Sequence, residues 1–187
     1  MLKRFKLFTI AMAALAIVTT AAWITTNGSL AQGRQESATG HGTTLVQDEQ
    51  GNTVRRQFSF NARRFADGSV KGNAVLNNPA FSGANGKKFQ VKIEISCLKV
   101  VGNTAIFGGT VRRSNDPNLV DTVFFSVEDN GEPGKDNDRI SGLFFNDDDP
   151  TAEPGDPQTC QTFDPIDFEP LSVIDGGNIQ VKGGVAR

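Results

Sequence analysis

The chain has 187 residues, with 14 Phe, 20 Gly, 8 Pro, 2 Cys, 1 His, 1 Trp and no Tyr, a length that suits one domain of ordinary size. It is 37% hydrophobic and 21% charged with a formal net charge of −2, which supports a packed core and excludes wholesale disorder. A single His excludes a His-cluster metal site, and the lack of Tyr removes the usual stacking anchors of sugar and nucleic-acid faces, so no nucleic-acid partner is expected.

The first residues carry the clearest signal. Lys3, Arg4 and Lys6 precede an apolar run from Leu7 to Ile24, with Trp23 near its end. Asn27-Gly28 break the run, and Ser29-Leu30-Ala31 supplies small residues at the −3 and −1 positions of a cleavage site. Basic start, apolar middle and small-residue exit are the parts of a helical secretory signal peptide. Residues 1–31 are therefore expected to be removed, leaving the protein extracellular or periplasmic. The alternative is a retained anchor, since a run of this length could just span a bilayer. Membrane contact is then expected only through this segment, if it stays uncleaved.

Residues 32–42 (QGRQESATGHG) are polar and aperiodic, and read as a flexible leader carrying His41. A rigid catalytic constellation could hardly be built there. The domain proper is placed at 43–187. Its charge is uneven: residues 32–115 carry 12 Lys/Arg against 5 Asp/Glu, whereas residues 116–169 carry 2 against 15. Such asymmetry marks either an interaction face or two stretches lying side by side and neutralising each other. Alternating strands, which would spread the charges over one solvent face, favour the second reading.

From Thr43 onward the hydrophobic period is two. A short strand is expected at 43–47. Val54, Arg56, Phe58, Phe60 and Ala62 then fall on one face, and Val70, Gly72, Ala74 and Leu76 on the face of the next strand. A three-residue loop over Asp67-Gly68-Ser69, with Gly68 left-handed, would pair Phe60 with Leu76 and Ala62 with Ala74. Phe89, Val91, Ile93, Ile95 and Cys97 alternate inward. The phase slips at Leu98–Val101, which predicts a bulge or a doubly buried end. Val101-Gly102-Asn103-Thr104 reads as a tight turn. Further strands are expected at 105–111, 121–129, 139–145, 166–174 and 178–182, with room for a one-turn helix in 146–165. About nine short antiparallel strands without the 3.6 period predict an all-β barrel or sandwich.

Two acidic loops could hold chemistry. Asp129, Asn130, Glu132, Asp136 and Asp138 supply side-chain oxygens of the hard type that Ca²⁺ prefers. Asn146 to Asp149, with Glu153 and Asp156, supplies more. Neither fits the twelve-residue helix–loop–helix pattern, and solvated turn chemistry explains both without a ligand. No cofactor is expected, with Ca²⁺ at this loop the one candidate weighed against solvated turns. Catalysis is less favoured still: Ser-His or Cys-His nucleophiles would need the one His, and no glycine-rich phosphate loop precedes a helix. The two cysteines admit one pairing, Cys97 with Cys160, which export favours. Closing that loop would contribute about 4 kcal/mol; two separate buried thiols are the alternative.

Several phrases resemble a family of small exported bacterial β proteins without an assigned activity. They are Phe58–Arg63, Asp67–Gly72, Cys97–Ala105, Val127–Gly134 and Gly176–Val181, with VGNTA and DNGEPG the most specific. The resemblance covers most of 43–183 and implies an exported all-β domain, sometimes joined to other surface modules. It implies no catalytic residue, and the 147–165 stretch is longer than usual for it. The leading expectation is a non-enzymatic exported β domain with a structural or interaction role at the cell envelope or outside it, its partner unidentified. A small-ligand or Ca²⁺-binding barrel is the alternative and a secreted hydrolase the third reading. A void lined by Phe58, Phe60, Phe89 and Phe125 would favour the carrier, and a filled core the structural role.

Overall fold

The computed structural model describes residues 35–83, 86–116, 119, 121–146 and 155–183. The expected signal peptide and the Asp147–Asp149 run lie outside these residues. The described chain is all-β. Its strands are β1 (Ser37–Gln47), β2 (Thr53–Arg64), β3 (Val70–Ser82), β4 (Lys88–Val101), β5 (Thr104–Ser114), β6 (Thr122–Glu128), β7 (Arg139–Ile140), β8 (Phe144–Phe145), β9 (Ser172–Val173) and β10 (Gly176–Lys182). They form one antiparallel sheet in the order β10-β1-β2-β3-β4-β5-β6-β7-β9, with β8 also on β6. Of the expected barrel or sandwich, the all-β antiparallel character holds, but the described strands form one sheet rather than two, and it is not a closed barrel: β10 and β9 stand at opposite ends of the order with no ladder between them.

The sheet nevertheless curls tightly. Strands spaced about 4.8 Å apart would put β2 and β5 about 14 Å apart in a flat sheet. The Phe60 ring of β2 instead stands 5.2 Å from Phe107 of β5 and 6.1 Å from Phe125 of β6. Phe107 and Phe125 stack at 4.5 Å. Together with Phe58, Leu76, Val91, Ile93, Ile95 and Val127 these rings fill the inner face. Room for them comes partly from β1, where a Cβ on Gly40 would fall 2.6 Å from the Phe60 ring.

The period-two reading places the inner faces of β2 and β3 correctly, but the hairpin register differs. Phe58 pairs with Leu76, Phe60 with Ala74 and Ala62 with Gly72. The ladder ends at Arg64 and Val70, so the loop holds five residues rather than three, with Gly68 left-handed at φ 83°. A slip of two keeps the same face inward, which is why parity survives the error. Residues 37–42, expected in the flexible leader, lie in β1. Ser37–Gln47 is a strand, and His41 lies within it between Ser59 and Asn178.

The phase slip in β4 has a definite origin. Ile95 pairs with Gly109 and Cys97 with Gly108, leaving Ser96 as the extra residue of a bulge. Before it, Val91, Ile93 and Ile95 face the core; after it, Leu98 and Val100 do. Cys97 is thereby turned to the outer face, contrary to the inward placement expected from the pattern upstream. There it joins Ile106, Phe124, Cys160 and Phe168 in a second apolar cluster, flanked by Phe163 and Leu171. The cover over this outer face is the 157–171 segment, with two 3-10 turns at Pro157–Gln161 and Pro165–Phe168. It explains why Thr104–Gly109 and Thr122–Val127 are buried on both faces. The expected strand at 166–174 shrinks to β9, because Pro165 and Pro170 leave no continuous ladder there. Cys97 and Cys160 form a disulfide with no exposed surface.

Candidate functional site

The acidic loop between β6 and β7 crosses the open seam of the sheet and fastens to β10. In an antiparallel strand alternate amides face opposite neighbours. One set of β10 amides faces β1; Ile179 and Val181 present theirs to the seam, where no described strand pairs with β10. Asp138 Oδ2 accepts the Ile179 N–H at 2.8 Å, and Asp129 Oδ2 accepts that of Val181 at 2.9 Å. Asp138 is fully buried, and its other oxygen accepts the Asn130 N–H at 2.8 Å. Two carboxylates thus do for β10 what the carbonyls of a neighbouring strand would do.

Side-chain amides complete the junction. Asn178 Nδ2 donates to Glu132 Oε1 at 2.8 Å, while its Oδ1 accepts the Gly134 N–H at 3.0 Å. Asn103 Nδ2 donates to Asp129 O and to Asn130 Oδ1, and Asp129 N donates back to Asn103 O. Gly102, at φ 62°, turns the chain that presents Asn103, with glycine first as in a type II′ hairpin. At Gly134 a Cβ would fall 2.1 Å from Asp138 Oδ2, so only glycine fits.

The five residues considered for Ca²⁺ share one loop, and three of them, Asp129, Glu132 and Asp138, turn to N–H donors of β10. Asp129, Glu132 and Asp138 spend oxygens on N–H donors of β10 and the loop itself. Asn130 bridges Asn103 and the loop backbone. Asp136 is exposed at a positive φ of 68°, its N–H donating to Ile174 O. Among the described residues no group of three or more His, Cys, Asp or Glu side chains could hold a metal ion.

His41 lines two shallow open grooves on the outside of β1, of about 520 and 320 Å³. Ser59 and Gly177 line the first and Asn178 the second. Ion pairs among the described residues run both across and within the unevenly charged stretches. Lys99–Asp164, 3.7 Å, joins the basic stretch to the acidic one, and Arg55–Asp175, 2.8 Å, ties it to the 170–187 stretch. Arg64–Glu36 and Arg112–Glu94 pair inside the basic stretch. Neutralisation runs within the stretches as well as between them. Asp175 is held below the usual carboxylate range by the Thr43 side chain and, against burial, by Arg55.

One inward residue carries a charge. Arg56 was placed on the inward face by parity, and it is indeed buried, at 7% exposure. Its charge in an apolar phase was the available signal. No protein-family model matches the chain, and no curated protein or solved structure matches it.

Proposed function

We propose that this chain is an exported, non-enzymatic β domain with a structural or interaction role at the cell envelope or outside it. The observation that carries the reading is the use made of its acidic loop: Asp129, Glu132 and Asp138 bind the chain's own amides and hold the curled sheet together. A phenylalanine-filled inner face supports a scaffold over a carrier. The buried Cys97–Cys160 bridge is compatible with an oxidising compartment, and no described helix is long and apolar enough to cross a membrane. The phrases VGNTA, DNGEPG and GGNIQV, on which the family resemblance rests, meet at the seam through Asn103, Asp129, Glu132 and Asn178. That convergence supports reading them as a signature of the fold rather than of an active site.

The test is an intact-mass measurement on protein recovered from the envelope and from the medium. The expected species begins at Gln32 and is two hydrogens lighter than its dithiol form. Recovery from the cytoplasm with Met1 retained and both thiols alkylatable would overturn the proposal.

A further inference from the structure

Arg55 and Arg56 are neighbours with opposite and physically inverted situations. Arg55 is exposed and has a carboxylate, Asp175, at 2.8 Å. Arg56 is buried and has no carboxylate partner among the described residues. Arginine is almost never buried unless paired, because an uncompensated charge in an apolar setting is expensive. Burial pushes the Arg56 guanidinium below its ordinary value, with no nearby charge to offset it, yet arginine keeps its proton at neutral pH.

The partners it has are neutral. Nε donates to Thr44 Oγ1 at 3.0 Å, and Nη2 reaches Ser141 O at 3.5 Å, the outer limit of a hydrogen bond. Nη1 makes no hydrogen bond with the described residues. The side chain is not wholly sealed off, since Arg56 keeps 7% of its surface exposed. Thr44 lies opposite Arg56 in the β1–β2 register and is fully buried. Asn78 takes the next register position on β3 beyond the Gln57–Asn77 pair. Its Oδ1 is occupied by the Ala80 N–H at 3.1 Å, so its amide offers donors. The Nη end of the Arg56 guanidinium is a two-pronged fork of the kind that matches coplanar oxygens.

We propose that Arg56, with Thr44 fixing its Nε, binds a small oxyanion, a carboxylate or a phosphate group, on the Nη end of its guanidinium at the inner edge of the curled sheet. The site goes beyond the scaffold role above, and neither depends on the other.

The test is thermal denaturation of the full chain, disulfide intact, in sodium chloride, acetate or phosphate at one ionic strength and pH 7. Saturating acetate or phosphate should raise the wild-type Tm by about 5 °C over chloride. A response to phosphate alone assigns a phosphate group, and an equal response to acetate a carboxylate. Arg56→Lys keeps a cation without the fork and should lose more than half of the shift; Arg56→Met should lose all of it. Should Arg56→Met fail to fold, wild type and Arg56→Lys decide the matter. A wild-type Tm identical in all three salts overturns the proposal, as does a full anion response in Arg56→Lys.

Discussion

Asp138 Oδ2 accepts the Ile179 backbone N–H at 2.8 Å across the gap between the ends of the strand order. A side chain from the β6–β7 loop thereby finishes the outer edge of β10, and it does so from a fully buried position. Charge-assisted bonds of this kind contribute more than neutral ones, and losing one leaves a buried N–H without a partner.

Asp138→Asn keeps the shape but replaces one acceptor with a donor that faces an N–H. It should cost about 2–4 kcal/mol in denaturant unfolding. Asp129→Asn should cost less, about 1–2 kcal/mol, because Asp129 is only half-buried. Asp136→Asn is the control: the residue is exposed, Asn tolerates a positive φ, and the change should stay within about 0.5 kcal/mol.

Gly108 marks where the 157–171 cover meets the sheet. A Cβ there would lie 2.1 Å from the Pro157 carbonyl oxygen. Gly108→Ala should therefore lift the cover, costing about 1–3 kcal/mol and making the segment around Thr162 a preferred site of limited proteolysis. An unchanged digestion pattern would contradict this packing.

The Cys97–Cys160 bridge pins the same cover. Its sequence separation of 63 predicts a loss of about 4 kcal/mol on reduction. Because both sulfurs are buried, native protein should resist mild reductant and yield only as it unfolds. Fast alkylation of the folded state after mild reduction would show that the cover opens independently of the sheet.

Acid should weaken the fold with a definite sign. Asp67 is held below the usual carboxylate range by the Ser69 hydroxyl and N–H, and Asp175 by the Thr43 side chain and Arg55. Groups with a depressed folded value lend stability that is complete above the ordinary value, near pH 4, and is lost as pH falls below it. Asp67→Asn and Asp175→Asn should each flatten the fall in unfolding free energy as the pH drops below about 4. A slope unchanged in both variants would contradict these assignments.

Much of the succession of strands and of their inward parity was legible in the sequence, because a half-buried antiparallel strand writes its face into every second residue. Phe58, Phe60, Ile93 and Phe125 fall inward as their spacing requires. The face of Cys97 was not legible. The bulge at Ser96 that turns it outward appears in the sequence only as a slip of phase, and its site depends on pairing with Gly108 and Gly109. The hairpin at Asp67-Gly68 kept its parity but not its register, since a five-residue loop carries the same turn residues as a three-residue one. The seam was hidden for another reason. Asp129 and Asp138 look like solvated turn residues until β10, over 40 residues downstream, arrives with two amides facing them. Arg56 was legible as an oddity, a charge in an apolar phase.

Amide exchange at Ile179 and Val181 in the presence of EDTA tests the central claim, that the loop's carboxylates satisfy the β10 amides across the open seam without a bound cation. Both amides should be protected as strongly as those of Asn178 and Gln180, which face β1, and Ca²⁺ should add nothing. Rapid exchange at Ile179 and Val181 that slows only when Ca²⁺ is supplied would contradict the account and make the loop a cation site.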